Sequence, residues 1–232
     1  MLLSYAPEIT ATHPSLVTAV IMADQITATA DVSGRLPPLE AAALRRLECG
    51  PISEFPEIRA WRRAFSVMGL KPTQYRCAAE SLLRRLDKSG NLPRIHPLVD
   101  LCNHISISLA VPIAVFDLAH VTGTLTVRQA DGSERYLAFN GDTEQPEPGE
   151  VIFADEAGEA HARRWTNRQS ARSAIRATSS DVLIVAEALH NDARGTLSAL
   201  LTTLTAALPE TWGSHIESQL MIAGRVDTTA IR

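Results

Sequence analysis

Hydrophobic positions recur along this chain at two different periods, and the change comes near Pro112. Leu16 to Ile26 (LVTAVIMADQI) is an apolar run short enough for a buried strand. Ser33-Gly34 and Pro37-Pro38 then punctuate the chain. Leu39 to Leu47 reads as a short helix, with Gly50-Pro51 as its stop signal. Three amphipathic helices follow. One aligns Ile58, Trp61, Phe65 and Met68 and ends at Gly69. The next, after Pro72-Thr73, aligns Tyr75, Ala79, Leu82, Leu83 and Leu86 and so places Arg76 early in the helix. The third, behind Pro97, aligns Leu98, Leu101, Cys102, Ile105 and Leu109. These spacings fit the helical period and mark core faces.

After Pro112 the period falls to two. Pro112 to Phe116, Thr124 to Arg128, Arg135 to Phe139, Val151 to Ala154, Ala162 to Thr166 and Val182 to Ala186 read as strands. From Ala193 a helix returns, with Leu197, Leu200, Leu201, Leu204 and Leu208 on one stripe, and Pro209 to Arg232 is expected as a closing helix or a loose tail. Helices first, strands next and a helix last predict an α+β fold, a largely antiparallel sheet flanked by helices. The expected division is an N-terminal strand and helix over 1–54, a central unit over 55–190, and a C-terminal helix and tail over 191–232.

Composition changes this picture little. The 232 residues are 45% hydrophobic and 21% charged, ordinary globular usage that allows a core without metal or disulfide staples. Cys49, Cys77 and Cys102 share no close spacing and are expected to be small buried hydrophobes in a reduced cytoplasm. No signal-peptide pattern and no apolar run of about 18 residues is present, so a soluble, cytoplasmic protein with no membrane association is expected. Charge distribution adds more. The net charge is −4, yet Arg59 to Arg94 holds nine Lys or Arg against two acids, and His161 to Thr178 holds five arginines and no acid. Such blocks are either solvated faces or a polyanion-binding surface. There is no βαβ rhythm, no Gly-rich phosphate loop and no metal-ligand spacing, so neither a cofactor nor a metal is expected.

Five stretches carry a more specific signal when taken in order: KPTQYRCAAESLLRR from Lys71 to Arg85, LPRIHPLVDLCN from Leu92 to Asn103, PIAVFD from Pro112 to Asp117, GEVIFAD from Gly149 to Asp155, and RRWTNRQS from Arg163 to Ser170. Over roughly residues 55 to 190 this order resembles the B3/B4 editing region of the phenylalanyl-tRNA synthetase beta subunit. It is similar also to free-standing proteins built from that region. Val99, Asp100 and Asn103 match one motif, Pro112, Phe116 and Asp117 a second. Lys71, Pro72, Thr73, Tyr75 and Arg76, then Trp165, Arg168 and Gln169, match features of the free-standing relatives. Where the family's strand carries a histidine, Ala114 stands here, and the synthetases' tyrosine-reading glutamate falls near Arg172 or Ser173.

The resemblance implies a partner, aminoacylated tRNA, and an activity, hydrolysis of the ester on mischarged tRNA by an editing unit working in trans. A non-catalytic module binding tRNA or an amino acid, or an RNA- or DNA-binding adaptor, are the rival readings. An activated ester needs only a positioned water and a stabilised oxyanion. Asn103 and Gln169 are the candidates for that work, because a side-chain amide reads both amine and carbonyl groups. Asp100 shares a helix face with Asn103. Asp117 is a candidate for the substrate's α-ammonium or else a turn former. Trp165, Asn167 and Ser170 either close an amino-acid pocket or stack a base, with simple core packing the alternative for Trp165. Lys71, Arg76, Arg94, His96, Arg164 and Arg168 are the candidates for tRNA phosphates, with capping (His96) and an Arg76–Glu80 ion pair as the plainer roles. The sequence leaves the oligomeric state open.

Overall fold

The computed structural model describes residues 3–226. Its centre is a five-stranded antiparallel sheet. Strand β2 (Val17–Ala23) pairs with β10 (Val182–Ala188), which pairs on its other side with β3 (Ile113–Asp117). β11 (Ile216–Ile222) and β12 (Arg225–Val226) extend the sheet beyond β2. A second five-stranded sheet joins β1 (Leu3–Tyr5), β4 (Leu125–Gln129), β7 (Val151–Ala154), β8 (Ala160–Arg163) and β9 (Arg168–Gln169). Only its β1–β4 pair is parallel. A small hairpin is formed by β5 (Tyr136–Leu137) and β6 (Thr143–Glu144). The fold is α+β with antiparallel pairing dominant, although the sequence pointed to one sheet and the chain builds two five-stranded sheets beside the small hairpin.

Successive residues of β10 face opposite cores. Val182, Ile184, Ala186 and Ala188 pack with α2 (Leu36–Cys49), α5 (Pro97–Leu109) and α6 (Ala193–Trp212). Leu183 and Val185 belong to the other core, with the second sheet, α3 (Pro56–Val67) and α4 (Ala78–Ser89). A strand buried on both faces loses the alternation that marks a half-exposed one, which is why VLIVAEA reads as a plain apolar run. The short helix α1 (Pro7–Thr12) follows β1; neither element has a long enough pattern to be read from sequence.

Four expectations need correction. Pro37-Pro38 does not precede a helix but lies in the first turn of α2, where proline's missing N–H would have no intrahelical partner. Helix α4 begins at Ala78, so Tyr75 and Arg76 sit in the turn before it; Tyr75 N donates to Lys71 O at 2.9 Å and closes that turn. The predicted strand Ala162 to Thr166 stops at Arg163, because Arg164 and Trp165 take left-handed backbone angles, φ 47° and 59°. The closing helix or tail from Pro209 is neither: α6 runs through to Trp212, and Ile216–Ile222 becomes a strand against β2. Residues 227–232 of that segment lie outside the described residues.

Leu204 is fully buried at the middle of the α6 stripe. Leu204→Ala is expected to lower unfolding free energy by about 2–5 kcal/mol in urea titration, from lost burial and the cavity left behind. A loss below about 1 kcal/mol would show that α6 does not seal this core.

Candidate functional site

Four of the five motif segments converge on one cavity of about 60 Å³. Pro112, Ile113 and Ala114 form one wall at the start of β3, and Val185 and Glu187 of β10 stand beside them. Val185 and Ala114 are direct cross-strand partners. Phe153 and Ala162 come from the second sheet, Ala78 from the first residue of α4, and Trp165 to Gln169 close the rim. The cavity therefore lies between the two sheets, where the turn from β8 to β9 meets the α4 N-terminus.

That turn is held from several directions. Trp165 is fully buried, with its ring edge-on to Trp61 at 5.1 Å and against His13 at 4.9 Å. Trp165 N donates to Val151 O at 2.7 Å and Arg164 N to Glu150 Oε1 at 3.0 Å. Two consecutive non-glycine residues in the left-handed region are costly and persist only where the surroundings over-determine them. Asn167 donates through Nδ2 to Arg76 O at 2.7 Å, and Gln169 through Nε2 to Val115 O at 2.6 Å. Both amides thus tie the turn to neighbouring elements with their nitrogens.

The other expected site residues are placed apart from the cavity lining. Asn103 is half-buried on α5. Asp100 accepts Ile95 N at 2.8 Å and lies 3.9 Å from Arg94. His96 is buried, and its Nδ1 accepts Leu98 N at 3.2 Å as the cap of α5. Asp117 accepts Ser179 Oγ at 2.6 Å and Ala119 N at 3.0 Å. Ser170 is buried and donates to Leu137 O at 2.9 Å. Lys71 is exposed in the turn before α4. Cys77 and Cys102 are pushed up to about 12 by burial, so neither is a thiolate at neutral pH.

The two basic segments do meet. The Arg164 guanidinium lies 4.8 Å above the Tyr75 ring, and Ala78 N donates to Thr166 O at 2.8 Å. Much of their charge, however, is matched by buried or half-buried acids, Glu80 from within the first segment and others from outside the second. Buried Glu80 takes Arg62 at 2.7 Å, Arg84 at 3.0 Å and Arg76 at 3.7 Å. Glu144 takes Arg163 and Arg168 at 2.6 and 2.7 Å, Glu150 takes Arg163 at 2.8 Å, and Glu159 takes Arg172 at 2.7 Å. The local charge counts overstate the free positive surface.

Two arrangements were not anticipated from sequence. Ser173 Oγ lies 2.8 Å from His161 Nδ1, and His161 Nε2 lies 3.2 Å from Asp155 Oδ2 without hydrogen-bond alignment. Although this is a serine–histidine–aspartate chain, Ser173 and His161 have no exposed surface and none of the three lines the cavity, so it serves as an internal link. Burial lowers the His161 pKa and keeps the ring neutral. The second is Glu187, only 2% exposed. Tyr5 Oη donates to its Oε1 at 2.6 Å and Trp165 Nε1 to the same oxygen at 2.9 Å. Burial pushes its pKa up to about 7, against the opposing effect of the two donors. One signal was legible: a single acid inside an otherwise apolar strand run. Among the described residues no group of three or more His, Cys, Asp or Glu is arranged to hold a metal ion, and no helix is long and apolar enough to cross a membrane.

The raised Glu187 pKa has a definite stability consequence. Between about 4.5 and about 7 the folded state holds a proton that the unfolded state has lost, so this group's contribution falls as pH rises through that window. Glu187→Gln keeps an acceptor for Tyr5 and Trp165 but cannot ionise. It is expected to match the wild type at pH ~4.5 and to gain on the order of 3 kcal/mol by pH ~8 in denaturant titrations. A difference that does not grow with pH would refute this assignment.

The B3/4 domain family model matches residues 60–202. The phenylalanine-tRNA ligase beta subunit of Cereibacter sphaeroides is 32% identical over 127 residues, covering 53% of this chain and 16% of that protein. The beta subunit from Chromobacterium violaceum is 40% identical over 74 residues, 32% of this chain and 9% of its own length. This chain thus spans only a small part of those relatives. A crystal structure of an N-terminal fragment of the phenylalanyl-tRNA synthetase beta subunit from Pyrococcus horikoshii superposes with a TM-score of 0.49 at 10% identity, covering 92% of this chain and 49% of that one. With the motif segments gathered round one cavity and the family model covering residues 60–202, which supply strands to both sheets, this chain belongs to the B3/4 domain family.

Proposed function

We propose that this chain is an aminoacyl-tRNA deacylase acting in trans, which hydrolyses the ester of mischarged tRNA with the amino acid seated in the cavity beside Ala114. The observation that carries this reading is the convergence of four motif segments, separated in sequence, on that one cavity. A larger open cleft of about 520 Å³ is lined by Pro56, Glu57, Arg59, Arg63, His190 and Asp192 among others, and none of its lining comes from the motifs.

In this reading the chain contributes position and polarity to an ester that is already activated. Asn167 and Gln169 commit their amide nitrogens to Arg76 O and Val115 O, which fixes the orientation of their oxygens at the rim. Trp165 and Phe153 supply apolar wall. Asp117 and Ser170 act on the frame through bonds to Ser179 and Leu137. Asn103 and Asp100 support α5. Arg164, Arg168, Arg76 and Lys71 are the groups near the rim suited to the tRNA's terminal phosphates, and Arg94 and His96 sit further off at the α5 N-terminus. A module that binds the aminoacyl end without cleaving it would use the same cavity, and a hydrolysis screen against a panel of mischarged tRNAs separates the two: release of one class of amino acid supports the deacylase, and binding without release supports the module.

Gln169→Ala is expected to slow single-turnover deacylation by about 10²–10³ while leaving tRNA affinity unchanged, since it removes an oriented contact but no charge. Rates that merely follow a fall in melting temperature would assign Gln169 to the fold alone.

Binding of tRNA is expected to weaken as salt rises. With most arginines paired internally, only a few phosphate contacts should form, giving a log–log slope of about −2 to −4, and removing Lys71 should reduce it by about one. A slope near zero would rule out the rim as the tRNA contact.

A further inference from the structure

We propose that Glu187 is the receptor for the α-ammonium group of the bound amino acid. This rests on the cavity being the amino-acid site of the preceding reading.

Buried carboxylates are nearly always paired with a cation, because desolvation makes a lone charge costly. Glu187 lines the cavity and is almost entirely shielded, yet its hydrogen-bonding partners among the described residues are neutral donors. Both go to Oε1. Tyr5 Oη lies also 2.8 Å from Thr18 Oγ1, on the strand paired with β10, so the donors on that side are held in place. Oε2 takes no hydrogen bond from a described residue. Trp61, from α3, bonds the main-chain oxygen of Glu187 instead, at 3.3 Å. The other titratable groups nearby are His13, packed edge-on against Trp165, and Arg168 at the rim, which Glu144 already holds at 2.7 Å. No cation of the chain is bonded to this carboxyl among the described residues. A ligand that brings an ammonium group into the cavity supplies the missing charge, and on binding it draws the carboxyl into its ionised form, with the proton released to solvent.

Ala114, Val185, Phe153 and Ala162 make the space beside Glu187 apolar, so the amino acid's side chain meets hydrocarbon while its ammonium meets the carboxyl.

The test uses the full chain and amide-linked, non-hydrolysable analogues of 3′-aminoacyl adenosine in calorimetric titrations. Whichever of the alanyl and tyrosyl analogues binds more tightly is expected to bind about ten- to a hundredfold more tightly than its N-acetylated form, which lacks the cation. Glu187→Gln, checked for an unreduced melting temperature, is expected to abolish the preference for the free amine. Equal affinity for the acetylated form, no binding of either analogue, or wild-type affinity in folded Glu187→Gln would each overturn the assignment. Binding through Glu187 together with no hydrolysis of any charged tRNA would uphold the receptor while removing the deacylase. Hydrolysis with Glu187-independent binding would do the reverse.

Discussion

Everything in this molecule is arranged around β10, a seven-residue strand paired along its length with β2 and nearly as far with β3, and buried on both faces. One face meets α5 and α6, the other meets α3 and the second sheet. A strand so placed tolerates almost no polarity. Its one ionisable residue, Glu187, survives because Tyr5 and Trp165 reach it from β1 and from the β8–β9 turn. Those bonds link two elements 160 residues apart in the sequence to the sheet centre, and the carboxyl they hold lines the cavity.

The same bonds account for the strain beside the cavity. Arg164 and Trp165 keep left-handed angles while Trp165 is clamped by Trp61, His13, the Val151 carbonyl and Glu187. Asn167 and Gln169 fasten the continuation of the turn to Arg76 and Val115. The result is a rim built from both halves of the chain, with little freedom to reshape around a large ligand. Pre-organisation of this kind lowers the ordering cost of binding a ligand.

Electrostatics follow a comparable logic. Glu80, Glu144, Glu150 and Glu159 are each drawn to arginines of the two basic runs, and three of the four are largely buried. Arginine, with its planar fork of donors, serves such shared carboxylates well. What remains for a polyanion is a sparse rim of positive groups, not a broad basic face.

The sequence by itself determined the helices α3 and α5 and the strands around Val151 and Val182, because each carries a period or an apolar run that few other structures satisfy. It also determined the family likeness, through motifs whose order survives although each is weak alone. The three-residue strand Leu3–Tyr5 and the strand Ile216–Ile222 were decided only by tertiary structure, since their partners in β4 and β2 lie 122 and 193 or more residues away, and neither LSY nor IESQLMI carries a clear apolar alternation. The site shows the same division. Trp165, Asn167 and Gln169 were legible as a polar and aromatic cluster, and Ala114 as a departure from the family's strand. Asn103 was not separable from the cavity residues by its motif, because helix spacing tells which residues share a face and not what that face meets. Glu187 was visible only as an acid in an apolar strand. Which groups would surround it, and whether a cation stood among them, depended on contacts between β1, β2, β10 and the β8–β9 turn that no local pattern encodes.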